Sequence, residues 1–377
     1  MQKRVLITGG AGFLGSHLAD ALLAYGYQVR VLDVLSPQVH GMKEERPTYL
    51  HPEVEFVCED ICHADAVRQA LRGVSAVFHL AAAVGVGQSM YELEKYLGIN
   101  TLGTAVLLEA LIEHPVERLI VASSMSIYGE GLYRAADNSL YTQAERSLTQ
   151  LRAGLWEVCD PQGNILEPLP TPENKPPALA SIYALSKYNQ ERMCLMIGRA
   201  YNIPTVALRF FNIFGPRQAL SNPYTGVLAI FASRYLNNQP PILFEDGLQR
   251  RDFVSVYDVV QACQLALEVP QAAGHVFNIG SGCASTVSEV AALMAQVLGT
   301  THLVPCITQT YRMGDIRHCF ADITQAQAVL GYTPRVTLAE GLAEMVEWLA
   351  GQLANDYSAK ASAELSKRGL VVSTTSV

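Results

Sequence analysis

Charge is scarce in this sequence. Charged residues fill 16% of its 377 positions and apolar residues 50%, whereas an average globular chain is ~25% charged. That balance excludes a disordered chain and permits a large core. No Lys/Arg-rich run occurs, and 27 basic against 35 acidic residues leave a net charge of −8. Nucleic acid is therefore not an expected partner. No Cys-x-x-Cys spacing occurs among the eight cysteines, and Cys58 and Cys62 have no second cluster to complete a tetrahedral site. No metal is expected, and the thiols read as reduced in a cytoplasmic protein. Internal repeats are absent. Two stretches imitate membrane signals without their substance. Val5 to Ala19 carries no Asp, Glu, Lys or Arg, but Gly9, Gly10, Gly12 and Gly15 break the helix a signal peptide needs. Val74 to Tyr91 reads as a buried strand running into a loop, so no membrane association is expected.

What is present is alternation. Short β-branched runs at Arg4–Ile7, Gln28–Asp33, Val54–Cys58, Ala76–Leu80, Arg118–Ser123 and Thr205–Arg209 alternate with helical patterns at Phe13–Ala24, Ala64–Leu71, Tyr91–Glu113 and Ile182–Tyr201. Fully apolar strands separated by helices predict an α/β fold, a parallel sheet covered on both faces. After Arg209, turn signals such as Gly215-Pro216 and Asp246-Gly247 interrupt the pattern. One strand, His275–Ile279, should return to the main sheet, and helices are expected at Val287–Leu298 and Leu338–Leu353. This divides the chain into residues 1–210, a smaller C-terminal lobe at 211–355, and a frayed, partly helical tail at 356–377. Residues 131–180, rich in proline, read as an insertion of the functional or mobile kind.

Chemistry concentrates at strand ends. Thr8-Gly9-Gly10-Ala11-Gly12-Phe13-Leu14-Gly15 follows the first strand and opens the first helix. Glycines there allow a tight turn, close approach of a pyrophosphate and close helix packing, with the helix N-terminus facing the phosphates. Gly9, Gly12, Phe13 and Leu14 are the expected contacts. Asp33 ends the second strand, 18 residues after Gly15. Its carboxylate suits the adenosine ribose hydroxyls and repels a 2′-phosphate, which favours NAD over NADP. Asp60 and Ile61 after the third strand, and Leu80, Ala81 and Ala82 after the fourth, are further cofactor candidates, each with ordinary core packing as the alternative. Tyr183-x-x-x-Lys187 places a phenol and an ammonium on one helix face. A phenol titrates near ~10. A neighbouring cation favours its phenolate, so Tyr183 is a candidate base and Lys187 its tuner. Ser124 and Ser126, after the fifth strand, stand where a parallel sheet binds ligands.

Taken together these motifs resemble the extended short-chain dehydrogenase/reductase family, in its nucleotide-sugar epimerase and dehydratase group, over about residues 3 to 350. The carriers are Thr8 to Gly15, Ser123-Ser-x-x-x-Tyr-Gly129, Tyr183-x-x-x-Lys187, Leu208-Arg-Phe-Phe-Asn212, Arg250-Arg-Asp-Phe-Val254 and Gly314-Asp315. The resemblance implies a Rossmann-like doubly wound sheet with a substrate-binding lobe, NAD, a nucleotide-sugar substrate and a homodimer. It implies Ser124, Tyr183 and Lys187 as catalytic residues, with Tyr183 and Lys187 also touching the cofactor. Asn100 falls near the cofactor ribose, and Ser124, Ser126, Asn212, Arg251, Arg312 and Asp315 fall at the substrate. An ion pair between Arg251 and Asp252 is the bland alternative for that arginine. The dimer would pair the helices at Tyr91–Glu113 and Ile182–Tyr201, with Ala105, Leu107, Leu108, Leu111, Met193 and Met196 as candidates.

What the family's dehydratases carry and this chain lacks is an Asp-Glu pair after the Ser/Thr. Met125 and Ser126 stand there, and neither does carboxylate acid/base work. A 4-epimerase acting through a transient 4-keto sugar needs no such group. Val84–Tyr91, Gly215–Gly226, Phe244–Phe253 and the insertion ending Pro170–Pro176 are similar to dTDP-L-rhamnose 4-epimerases. Several of those relatives carry a cysteine pair in the insertion; here Cys159 stands alone beside Asp160. Cys319 falls where a tyrosine narrows the sugar pocket of some 4-epimerases, which keeps UDP-glucose and UDP-N-acetylglucosamine 4-epimerase as alternatives. A net NAD-dependent nucleotide-sugar oxidoreductase and a non-catalytic NAD-binding regulatory protein are further alternatives.

Overall fold

The computed structural model describes residues 3–41, 45–224, 226–352 and 355–374. Its central sheet has seven strands: β1 (Arg4–Thr8), β2 (Gln28–Asp33), β3 (Glu55–Cys58), β4 (Ala76–His79), β5 (Arg118–Ser124), β6 (Thr205–Phe210) and β7 (Val276–Ile279). Their order is β7-β6-β5-β4-β1-β2-β3, every pair parallel. Side chains alternate faces along a strand. Val5, Ile7, Val29 and Val31 accordingly enter one apolar cluster with Leu18 and Leu22 of helix α1 (Phe13–Ala24). Leu6, Leu32 and Val77 enter the opposite cluster with Leu107 and Leu111. The sheet is thus Rossmann-like and covered on both faces. Strand order reverses between β1 and β4, and the crevice at their carboxyl ends is where such sheets bind ligands.

The expected long helix at 91–113 is not uniform. It is α-helical at Leu93–Tyr96, π-helical at Leu97–Leu102 and α-helical again at Gly103–Glu113. π-turns of this kind are common at functional positions. By length and composition alone Leu93–Glu113 would cross a membrane, but 44% of its apolar window is buried in the fold. Helix α2 (Ile182–Ala200) starts at Ser181, whose hydroxyl accepts from Ala184 N at 3.1 Å.

Beyond β6, Asn212–Phe214, Arg250–Ser255, Ala284–Thr286 and His318–Cys319 form a small mixed sheet. Helix α3 (Val227–Leu236) packs there with Val287–Leu298 and Leu338–Leu349 around Phe231, Met294 and Met345. The last of these helices ends at Leu349; the expected terminus at Leu353 lies outside the described residues. The 131–180 insertion is folded, with an antiparallel sheet of Leu132–Arg134, Leu140–Tyr141 and Glu167–Leu169 over its own core of Tyr133, Val158 and Leu166.

The tail corrects an expectation. It is docked rather than frayed: helix α4 (Ser358–Lys367) buries Ala361 and Leu365, and Val371–Ser373 pairs antiparallel with Thr310–Arg312. Its end at 375–377 lies outside the described residues.

Candidate active site

Glycine at position 9 is required by two facts at once. Its φ is +70°, and a Cβ there would stand 2.8 Å from Ala81 Cα. The turn therefore lies hard against the end of β4. A Cβ on Gly12 would meet only the Gly9 carbonyl, at 3.3 Å, before entering the large cavity that this turn borders. That cavity is about 700 Å³ and runs from the glycine turn into the lobe. Gly9, Gly12, Phe13, Leu14, Asp33, Asp60, Ile61, Leu80, Ala81 and Ala82 line it, as do Ser124, Ser126, Tyr183, Lys187, Asn212, Arg251, Arg312 and Asp315.

Asn100 is the exception. It is wholly buried and not on the wall; its amide accepts from Ala83 N at 2.7 Å and donates to Ala83 O at 3.0 Å and Ser186 Oγ at 2.9 Å. With those groups committed, Asn100 holds the β4 loop from behind. Asn100 itself lies within the π-helical turn Leu97–Leu102. Asp33 accepts from Ala11 N and Leu35 N, both at 3.0 Å, so its carboxylate is fixed at the cavity edge.

At the end of β5 the Ser124 Oγ accepts from Ser126 N at 3.2 Å and Ser126 Oγ at 2.9 Å. Burial pushes the Tyr183 phenol above its ordinary pKa, while a hydrogen bond from Ser124 works the other way. Lys187 is buried too, which brings its pKa down to about 8, and its ammonium donates to Gln190 Oε1 at 2.7 Å. Gln190 in turn reaches Thr104 Oγ1 at 2.9 Å and the His79 ring at 3.1 Å. Ser89 Oγ accepts from Tyr183 N at 3.0 Å, tying the turn at Val86–Ser89 to the start of α2.

In the lobe, Arg251 does not pair with Asp252. Its guanidinium donates to the carbonyls of Arg250, Arg317 and Ile316 at 2.6–2.9 Å. Asp252 is buried and accepts from Ser281 N, Ser281 Oγ and Gly282 N at 2.7–2.9 Å. Arg312 grips Asp315 with two bonds, at 2.8 and 3.2 Å, and its guanidinium lies 4.4 Å from the Phe244 ring centre. Three buried side-chain oxygens on the wall, in Asn212, Gln218 and Gln249, have no hydrogen-bond partner among the described residues. Buried polar atoms without partners are costly, so these point to a polar ligand. Cys319 corrects a second expectation: it is 1% exposed and absent from the wall, its thiol 3.8 Å from Thr171 Oγ1. Thr171 belongs to the insertion, which covers that position. Cys159 is half-buried with its thiol toward Glu157 O, and among the described residues no His/Cys/Asp/Glu group is arranged to hold a metal.

Comparison with known proteins bears on this geometry directly. The model of the NAD dependent epimerase/dehydratase family matches residues 5–150 and 162–280. The chain belongs to that family. It is similar to a dTDP-L-rhamnose 4-epimerase of Burkholderia thailandensis, 34% identical and covering 93% of this chain and 96% of the relative. Among solved structures, a UDP-glucose 4-epimerase of Thermotoga maritima with UDP-glucose superposes with a TM-score of 0.74 at 31% identity, covering 92% of this chain and 98% of that one. A UDP-glucose 4-epimerase of Thermus thermophilus in complex with NAD gives 0.73 at 30% identity, covering 93% and 100%. The unmatched residues 151–161 fall inside the folded insertion.

Several wall residues were missed by sequence reasoning. Gln38, Gln88, Lys95 and Asn222 also line the cavity. Gln38 Nε2 donates to Gln88 Oε1 at 3.0 Å and Asn222 Oδ1 at 3.1 Å, and its Oε1 accepts from Lys95 at 2.8 Å. No local motif marks four residues this far apart.

Proposed function

We propose that this chain is an NAD-dependent nucleotide-sugar 4-epimerase acting through a transient 4-keto sugar, on dTDP-L-rhamnose or a related NDP-hexose. One observation carries the reading: Ser124, Tyr183 and Lys187 line the same cavity as the glycine turn, with Met125 and Ser126 where a dehydratase needs carboxylates. The Gly12 cradle at the N-terminus of α1 and the Asp33 carboxylate fit a dinucleotide. When bound, NAD supplies a reversible hydride acceptor. The chain does the rest. Tyr183 takes the proton of the 4-hydroxyl and later returns it, and Ser124 hydrogen-bonds the same sugar oxygen. Lys187 contributes positive charge beside the phenol. Arg251 and Arg312 meet the diphosphate by charge-assisted bonds, with Asn212 beside them, and Asp315 accepts from the nucleotide ribose. Incubation with a panel of dTDP-, UDP- and GDP-sugars, read by NMR, tests this. Inverted C4 configuration in at least one product is expected. Accumulation of free reduced cofactor would instead favour net oxidoreduction, and no turnover would favour a non-catalytic NAD-binding role.

Asp33 sets the cofactor preference in this reading. Leu35 is buried with φ +50° and is a poor place for a 2′-phosphate-binding arginine, whereas Val34 is 52% exposed on the cavity rim. Asp33→Asn with Val34→Arg is expected to relax the preference for NAD over NADP, measured as the ratio of dissociation constants. Equal affinities in the wild type would overturn this role for Asp33.

A cytoplasmic homodimer completes the proposal; none of the eight cysteines is joined in a disulfide, which agrees with a reducing compartment. Leu107, Leu108 and Leu111 belong to the chain's own core. The partner-facing candidates are therefore Leu102, 56% exposed, and Met196, 61% exposed; Ala105 is half-buried, and Met193 packs against the chain's own core. Light scattering at micromolar concentration should give twice the chain mass, and a monomer would refute it.

A further inference from the structure

Ser358, Ala361, Ser362 and Leu365 recur at the spacing of one helix face, and all four line the catalytic cavity. The opposite face of α4, with Ala359, Lys360, Ala363 and Ser366, is exposed. Both ends of the tail are fastened, and to different parts of the protein. At its start, Arg234 of α3 donates to Asp356 Oδ2 at 2.8 Å and Ser358 Oγ at 3.0 Å. At its far end, Leu365 approaches Gly87, within 3.4 Å of where a Cβ would stand, and the Arg368 guanidinium lies 4.3 Å from the Tyr91 ring centre. Beyond it, Val371–Ser373 pairs with the strand that carries Arg312. The tail thus crosses from the lobe to the main sheet's loops over the cavity.

Which part of a ligand it faces follows from the Val86–Ser89 turn. That turn is bonded to Tyr183 N through Ser89 and is covered by Leu365 at Gly87. A sugar whose C4 hydroxyl reaches Tyr183 lies beside this turn. We infer that the C-terminal helix is part of the substrate site: Ala361, Ser362 and Leu365 form the wall against the hexose and help set which sugar is accepted. This rests on the nucleotide-sugar reading above.

The test uses the full-length, NAD-loaded protein and a nucleotide sugar that the wild type epimerises. Leu365→Asp, which removes the apolar wall, and Ser362→Phe, which fills the cavity without unfastening the tail, should each raise KM for that sugar nucleotide ~10-fold or more. Affinity for the free nucleoside diphosphate should move far less, and bound NAD should be retained. Lys360→Ala, on the exposed face, should change neither constant. Unaltered KM in both Leu365→Asp and Ser362→Phe, with the wild type active, would overturn the inference alone. A wild type that turns over no nucleotide sugar would overturn the functional reading and this inference with it.

Discussion

Tyr183→Phe is expected to lower kcat by ~10²–10⁴-fold, the usual worth of a positioned acid/base group, while leaving the fold and bound NAD intact. Only one hydroxyl is lost. The backbone bond from Tyr183 N to Ser89 and the Ser181 cap at the start of α2 remain. Ser124→Ala should cost less, because it removes a hydrogen-bond donor rather than the base. Burial holds the Tyr183 phenol above its ordinary pKa, so the reactive phenolate is the scarce form at neutral pH. Activity limited by that form rises with pH until the phenol has titrated. The check is a kcat profile against pH for the wild type and both variants, with NAD content measured on each. Full activity in Tyr183→Phe would remove Tyr183 from the mechanism.

Arg317→Met is the second large effect, on stability. Arg317 is completely buried and bonds Glu157, Glu245 and Asp246 at 2.5–3.0 Å. Arg146 joins the cluster through Glu130 at 3.2 Å and Glu245 at 3.0 Å. Breaking a buried charge network by removing one partner costs about 3–5 kcal/mol, to be read from denaturant unfolding at pH 7. The pH dependence has a definite sign. A hydrogen bond from His318, then the bonds and charge of Arg317, lower the Glu157 pKa to about 2 from 4.5. A depressed carboxylate contributes stability that is fully present above 4.5 and is lost as pH falls through about 2. Burial already raises Glu245 against the opposing pull of Arg146 and Arg317; in the variant Arg317's share of that pull is gone, so protonation of Glu245 becomes the relief. The gap between wild type and variant should therefore narrow as pH falls from 7 toward 4.5. A gap that widens would contradict this account of the network. The network also joins the insertion to the lobe two residues from Asp315, and Arg146 Nη2 reaches Asp315 O at 3.5 Å. A raised KM should accompany the lost stability.

The legible part of this protein is the part encoded locally. The Gly9–Gly15 turn, Asp33 at a strand end and Tyr183 four residues before Lys187 each carry their geometry in their spacing, and the cavity gathers all of them. What escaped depends on partners distant in the chain. Arg317 meets Glu157 across 160 residues, and Gln38 meets Asn222 across 184. Asn100 occupies a helical pattern whose π-turn the apolar period does not reveal, so it reads as a ligand contact although its amide serves Ala83. Leu107 and Leu111 suit an interface or a core equally by type; only the opposing Leu119 and Cys194 decide for the core. The tail misled for a related reason. A single apolar stripe, Ala361 and Leu365, is too short to signal burial until Gly87 and Arg234 are seen beneath it.

In the proposed reaction C4 is oxidised reversibly while Tyr183 moves the hydroxyl proton. The direct measurement is epimerisation of a C4-deuterated sugar nucleotide in ordinary water, followed by NMR at C4. The inverted product is expected to keep its deuterium, because the hydrogen removed from carbon leaves and returns within one cavity. Loss of the C4 label to solvent would mean deprotonation at carbon, and would contradict it.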